Sequence, residues 1–464
     1  MSRVYIQTHP KILGAPWFSY TLDLIGKIAG LAAPIQAGTH ASPDAEAVTL
    51  CYGTEASAFF IPAKTGIGNG EMIPHDFDCG PAGQVSVPIY TETVDGSSGT
   101  VDLLYNFFAY VSCLEEFEHE KSRGPIQSYA FRLKGNTARF ERPFAQYLGL
   151  AFRRLLEKHN PKLLDPLNSR STIYLTHDVD VIGKTMRTRL KESAFRLYSG
   201  LRSGRFAAKW ILTMLLGADD YFLFDKIAKI EERHGIRSSF NIFIQPTHKG
   251  IGERLRSMIF DPSYDLADIK DLIPVLRGLH AQGFEIGAHF AFDSWQNSHR
   301  MGQEKRKLQD LLDCGRVVSC RQHWLRFSLA ETWAAQWQSG IEVDTTLCFN
   351  DLPGFRAGLA MPFHPYDHIN QRRHHILAIP TIVMDSHLHY YQSMNLEQRR
   401  ESLRSLLDEV RAVGGSAAMI WHSHVFSQDH GWETDYLYVL SLLREMGIHS
   451  GLPRDLCDRK AGGA

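Results

Sequence analysis

The chain has 464 residues, 44% of them hydrophobic and 22% charged, and a formal net charge of -1. That is enough material for two or three domains around a sizeable core, and a charge so close to zero excludes a global electrostatic pull towards nucleic acid or an anionic membrane. Seven cysteines, an odd number scattered without a C-x-x-C pair, argue against a disulfide framework or a structural zinc site and fit a reducing compartment.

Met1 to Pro10 lacks the apolar core of a secretory signal, and no run of about 18 apolar residues follows it. The expectation is a cytoplasmic chain without a transmembrane segment. Residues 1–168 read as a smaller α/β accessory domain. Its β-like pieces, Ala47 to Tyr52 and Gln84 to Tyr90, precede helical stretches from Asp102 to Tyr110 and from Arg142 to Lys158. No acid, base and nucleophile cluster at useful spacing there, and the helix-stopping residues from His159 to Asn168 form a plausible linker.

From 169 to 464 the pattern becomes strand, helix, strand, helix. Helical stretches stop at Gly235, Gly283, Gly315, Gly340, Gly414 and Gly447, as expected where a helix ends in the left-handed conformation. Repeated βα units predict a parallel sheet, and a distorted (β/α) barrel of 7–8 strands is the form the resemblance described below implies. Ligands bind at the carboxyl ends of such strands. Asp178, Asp180, His289, Arg321, Asp385 and His422 all stand where an apolar strand pattern runs out. Asp178 and Asp180, spaced i, i+2, point to one face of an extended strand. Two carboxylates held so close call for a cation between them or for a retained proton.

After the first of these strands, Val181 to Trp210 carries Lys184, Arg187, Arg189, Lys191, Arg196, Arg202, Arg205 and Lys209 among apolar residues. A solvated helical face explains this run. The sharper alternative is a surface that meets anionic lipid headgroups or a lipid-linked phosphate, a peripheral membrane contact.

The segment Thr176-His177-Asp178-Val179-Asp180, followed by Gly287 to Asp293, by Arg321 to Arg326 and by Ile420-Trp421-His422, resembles the polysaccharide deacetylase family, the NodB-homology domain, over roughly 171–450. The resemblance implies metal-dependent hydrolysis of an N-acetyl or related amide on a sugar, in cell-surface polysaccharide metabolism. It implies Asp178 as general base and Asp180 and His289 as metal ligands. The family's second motif histidine is replaced by Asp293, which becomes the third ligand by position. Arg321 matches the arginine that holds the base, and His422 the general acid. Asp385, one βα unit earlier, is the candidate to orient that imidazole.

One divalent ion is expected: zinc, or manganese, cobalt or iron, since two carboxylates shift preference away from soft metals. Candidate substrate contacts are His323 and Arg326, where the family's proline-rich continuation is missing, together with Trp421 beside His422. Asp344 and Arg356 belong to a long polar loop that either faces an anionic sugar or phosphate or is simply an ordered loop. A carbohydrate is the expected partner, with no nucleic acid. Two other readings stay open: hydrolysis of a different non-peptide C–N bond, as in an allantoin-type cyclic amide, and a catalytically weak glycan-binding protein.

Overall fold

The structure, a computed structural model, describes residues 3–40, 42, 47–52, 60–61, 72–90, 102–124, 138–167, 170–186, 188–190, 193–194, 197, 221–245, 250–262, 264, 271–313 and 315–457. Most of the basic run after residue 186 lies outside them. No described helix is long and apolar enough to cross a membrane.

The first part of the chain forms a parallel sheet in the order β2-β1-β3-β4 (β1, Val4–Thr8; β2, Gln36–Gly38; β3, Val48–Tyr52; β4, Phe60–Ile61). A hairpin of β5 (Met72–Asp78) and β6 (Gln84–Tyr90) accompanies helices α1 (Pro16–Ala29), α2 (Leu103–Val111), α3 (Leu114–Arg123) and α4 (Phe144–Glu157). Asp102 caps α2 through Tyr105 N at 2.9 Å and takes the Tyr52 hydroxyl at 2.8 Å, tying helix to sheet.

The rest is a nine-stranded, wholly parallel sheet. Its strands are β7 (Thr172–Val179), β8 (Ser239–Phe243), β9 (Glu285–Phe290), β10 (Ser319–Gln322), β11 (Val343–Asp344), β14 (Leu377–Ala378), β15 (Thr381–Met384), β16 (Ser416–Ile420) and β17 (His449–Ser450). Helices α5 (Phe224–Arg233), α6 (Ile251–Phe260), α7 (Leu272–Ala281), α8 (Ser298–Leu312), α9 (Thr332–Gln338), α10 (Leu396–Ala412) and α11 (Glu433–Met446) alternate with them, and a two-residue ribbon, β12 (Tyr366–Asp367) with β13 (Arg372–Arg373), decorates the loop before β14.

The two end strands of this sheet, β14 and β15, are halves of one run of chain separated by Ile379 and Pro380. Ile379 N donates to Asp344 O and Ala418 N to Pro380 O, both at 2.8 Å. The sheet therefore closes on itself as a distorted (β/α) barrel, with β17 paired beside the first half of β7. Strand β7 is buried on both faces, as a parallel barrel strand must be. His177 bonds Glu231 of helix α5 at 2.8 Å and so faces the helical layer, which turns Asp178 to the barrel interior.

One apolar core runs from Val4 of β1 to Ile448 near the C-terminus, and buried polar contacts knit the accessory part to the barrel. Arg142 and Tyr147 reach Glu409 at 2.7 Å, and Gln146 spans Val413 O and Ala360 N. Arg356, expected as a contact to substrate, is instead buried in this seam. It forms an ion pair with Glu116 and donates to Cys348 O at 2.7 Å. A buried guanidinium without its acid is expensive, so Glu116→Leu is expected to lower unfolding stability by about 3–5 kcal/mol in urea titration, without changing metal affinity.

Candidate active site

The C-terminal ends of β7, β9, β10 and β16 surround a cavity of about 300 Å³, lined among others by Asp178, Asp180, His289, His323 and His422. Asp178 and Asn241 are register partners on β7 and β8, and Asn241 pairs in turn with Gly287 on β9. Asp178 Oδ1 accepts from Asn241 Nδ2 and Arg321 Nη1, both at 2.8 Å. Burial pushes the Asp178 carboxyl up, but Arg321, helped by His289 and His422, outweighs it and holds the group below its ordinary range. Gly287 is required by this contact: a Cβ there would stand 2.4 Å from Asn241 Oδ1. A polar residue within the apolar run of β8 was the one sequence signal for Asn241.

Arg321 is fully buried, and it donates to Thr176 Oγ1 at 2.8 Å and to Thr345 O at 3.1 Å as well. Thus Arg321 joins β7, β10 and the loop after β11, and its guanidinium is fixed from three sides.

Three side chains converge beside Asp178. His289 Nε2 lies 3.2 Å from Asp180 Oδ1, and His323 Nε2 lies 3.6 Å from Asp180 Oδ2. One donor atom from each residue falls within 4.8 Å of the others. Asp180 Oδ1 and His289 Nε2 are buried without a hydrogen-bond partner, a costly arrangement unless a cation fills the gap. Two imidazole nitrogens and one carboxylate oxygen fit a first-row divalent ion, zinc included. Both rings are held from behind: His289 Nδ1 sits 3.2 Å from Arg321 O, and His323 Nδ1 lies 3.6 Å from Asp261 Oδ1. Such outer partners orient ligand imidazoles.

His323 was expected as a substrate contact, and Asp293 as the third ligand. The structure places them otherwise. Beyond β9 the chain is pinned by Phe292, whose N donates to Asp261 Oδ1 at 2.7 Å and whose ring stacks on Phe260 at 4.5 Å. Asp293 is thereby turned to Arg256, which it accepts at 2.8 and 2.9 Å, and to Arg326. His323 instead stands with Asp180 and His289, where β10 ends at Gln322 in a turn with φ of 58° and 50° at Trp324 and Leu325, the left-handed region that side chains rarely adopt.

Across the cavity, His422 Nε2 is 3.6 Å from Asp180 Oδ2, while its Nδ1 lies 2.9 Å from Asp385 Oδ1. The His422 backbone N donates to Asp385 Oδ2 at 2.6 Å, so one buried carboxylate fixes both ring and main chain. Burial pulls the imidazole down, but Asp385 more than offsets it and raises its pKa to about 10 in the metal-free chain. For Asp385 burial acts upward, and His422 brings it down to about 2.

Three further sequence candidates lie away from the cavity. Arg326 lies over the Phe292 ring at 4.2 Å and donates to Phe292 O, supporting the turn that carries Asp293. Asp344 is wholly buried, accepting from Trp333 Nε1 at 3.0 Å and Gln336 Nε2 at 2.9 Å. It anchors helix α9. Trp421 packs on Tyr436 of α11, and its main chain bonds Thr176 and His177. Residues facing the cavity that sequence reasoning passed over include the aromatics Phe260, Trp324, Tyr390, Tyr391 and Trp432. Trp432 stacks on His389 at 4.0 Å, and Asp435, itself paired with Arg399, lies 3.0 Å from His389 Nε2. No lysine or arginine is among the described residues lining the cavity.

No family model matches the chain, and no curated protein does. Among solved structures the chain is similar to a carbohydrate deacetylase described as novel, with 9% identity and a TM-score of 0.38, over 99% of this chain and 87% of that one. It is similar to a protein of Mycobacterium smegmatis provisionally assigned as a polysaccharide deacetylase, with 13% identity and a TM-score of 0.37, over 64% of this chain and 91% of that one. A peptidoglycan N-acetylglucosamine deacetylase is similar at 9% identity and a TM-score of 0.30, over 62% of this chain and 89% of that one.

Proposed function

We propose that this chain is a metal-dependent hydrolase that removes the acetyl group from an N-acetylated sugar. The observation that carries the reading is the grouping of a buried, arginine-held carboxylate, Asp178, with three converging donors, Asp180, His289 and His323, and an acid-paired imidazole, His422, at one barrel rim. An ion held by those donors supplies Lewis acidity, acidifying water and polarising an amide carbonyl. Asp178, kept ionised by Arg321, takes the proton from the attacking water. His422, charged through Asp385, returns a proton to the departing nitrogen. The aromatic walls suit the apolar faces of a sugar ring.

Metal analysis of purified protein, with acetate release from a panel of N-acetylated glycans, tests this reading. Release of ammonia or ring opening from a small cyclic amide, without acetate from any glycan, would transfer the chain to the other C–N hydrolase class.

The His422 arrangement makes a separate expectation. In the metal-free chain, NMR titration is expected to keep this imidazole charged to about pH 10, because Asp385 outweighs burial. Asp385→Asn removes the stabilising charge and is expected to bring the titration to or below about 6.5. A bound divalent ion next to Asp180 acts in the same downward direction.

A further inference from the structure

Helix α6 (Ile251–Phe260) is an amphipathic helix turned inside out. Its inner contacts include Arg256 with Asp293, the buried Ser257, and Phe260, which stacks on Phe292 and accepts from Trp324 Nε1 at 3.0 Å. About half a helical turn away, at i, i+4, i+7 and i+8, stand Ile251, Leu255, Met258 and Ile259. They are 81%, 55%, 51% and 61% exposed, a continuous apolar stripe facing solvent.

The stripe ends at the active site. Ile259 and Phe260 line the cavity, as does Thr188 on the opposing segment. Thr188 sits in a short helical turn closed by Arg189 N to Thr185 O at 2.9 Å, and its neighbours Met186 and Leu190 project outward, 68% and 59% exposed. Exposed aliphatic side chains thus flank the mouth on two sides. The cationic residues Arg254, fully on the surface, and Arg189, half-buried, accompany them. Lys184 is buried in an ion pair with Asp429, and the sequence Arg187–Lys209 that continues from this rim has seven basic residues and one acid, Glu192.

We infer that this face docks on the surface of an anionic lipid bilayer. Aliphatic residues that would enter the acyl boundary, with the exposed Arg254 beside them and a basic sequence after them to meet phosphate headgroups, are the two signals of interfacial binding. A protein partner would be met by an aromatic-rich centre, which this stripe lacks. If the function proposed above is right, docking would present the cavity to a sugar carried on a membrane-borne lipid; the docking itself does not depend on that function.

The test is sedimentation of the full chain with vesicles of phosphatidylcholine alone or with about 30% phosphatidylglycerol. Binding is expected only to the anionic vesicles and is expected to weaken as salt screens the arginines. Leu255→Ser with Met258→Ser, both on the solvent face, is expected to lower partition by ~10-fold or more, with circular dichroism and zinc binding unchanged. Arg254→Glu is expected to weaken anionic binding independently. No binding at low ionic strength, equal binding to neutral vesicles, or undiminished binding by the double variant would overturn the inference. So would a concentration-dependent dimer abolished by that variant, since that means that the stripe is already covered.

Discussion

Asp178→Asn is expected to lower hydrolytic turnover by about 10²–10⁴-fold, the usual loss with a general base, while zinc affinity changes little. The amide keeps the shape of the carboxylate and can still meet Arg321 or Asn241, but it cannot accept the proton of an attacking water. Its neighbours make a second effect predictable. Arg321 is buried and has only Asp178 as a bonded anionic partner among the described residues, so loss of that charge leaves a guanidinium with neutral partners alone. Stability is expected to fall by several kcal/mol, read as a shift of the urea midpoint. Turnover measured well below that midpoint separates chemistry from folding. A variant that stays folded, binds zinc and turns over near the wild-type rate would remove Asp178 from the proton-transfer role.

His323→Ala is expected to weaken zinc binding at least ~100-fold, beyond what an outer partner of a ligand usually costs, in competition with a chromophoric chelator. Asp293→Ala is expected to leave zinc binding within about threefold. Position in the family motif makes the opposite assignment, and with it the expectation that Asp293→His would tighten zinc. In the structure Asp293 is occupied with Arg256 and Arg326, so a histidine there gains no route to the ion and loosens the anchor of helix α6 instead. With two imidazoles and one carboxylate, the ion's charge is less neutralised than by two carboxylates. Water bound to it would be correspondingly more acidic than with the motif-based ligand set. Equal loss of zinc in the His323 and Asp293 variants would restore the motif-based ligand set.

The alternation of apolar strand patterns with glycine-stopped helices is a local property, and it was enough to place a parallel barrel and to put Asp178, Asp180, His289, Arg321, Asp385 and His422 at strand ends. Strand period and helix capping depend on near neighbours, so they are written in consecutive residues. The pairing of Asp385 with His422 was also legible, because adjacent βα units bring their strand ends together.

The third donor was not, since it depends on which way the chain turns after a strand stops. The Phe292 stack and the Asp261 bond rotate Asp293 outward, and two left-handed residues after β10 swing the chain about His323. Neither turn is dictated by residues local to it. The fate of the buried charges was equally hidden. Arg356 and Asp344 read as polar loop residues until packing supplied Glu116 from more than two hundred residues away and the Trp333 and Gln336 donors of α9. A sequence states which side chains can carry charge. Where that charge is satisfied, against substrate, metal or another part of the chain, is decided by long-range packing, because a buried ionic group is stable only where its partner has also been brought.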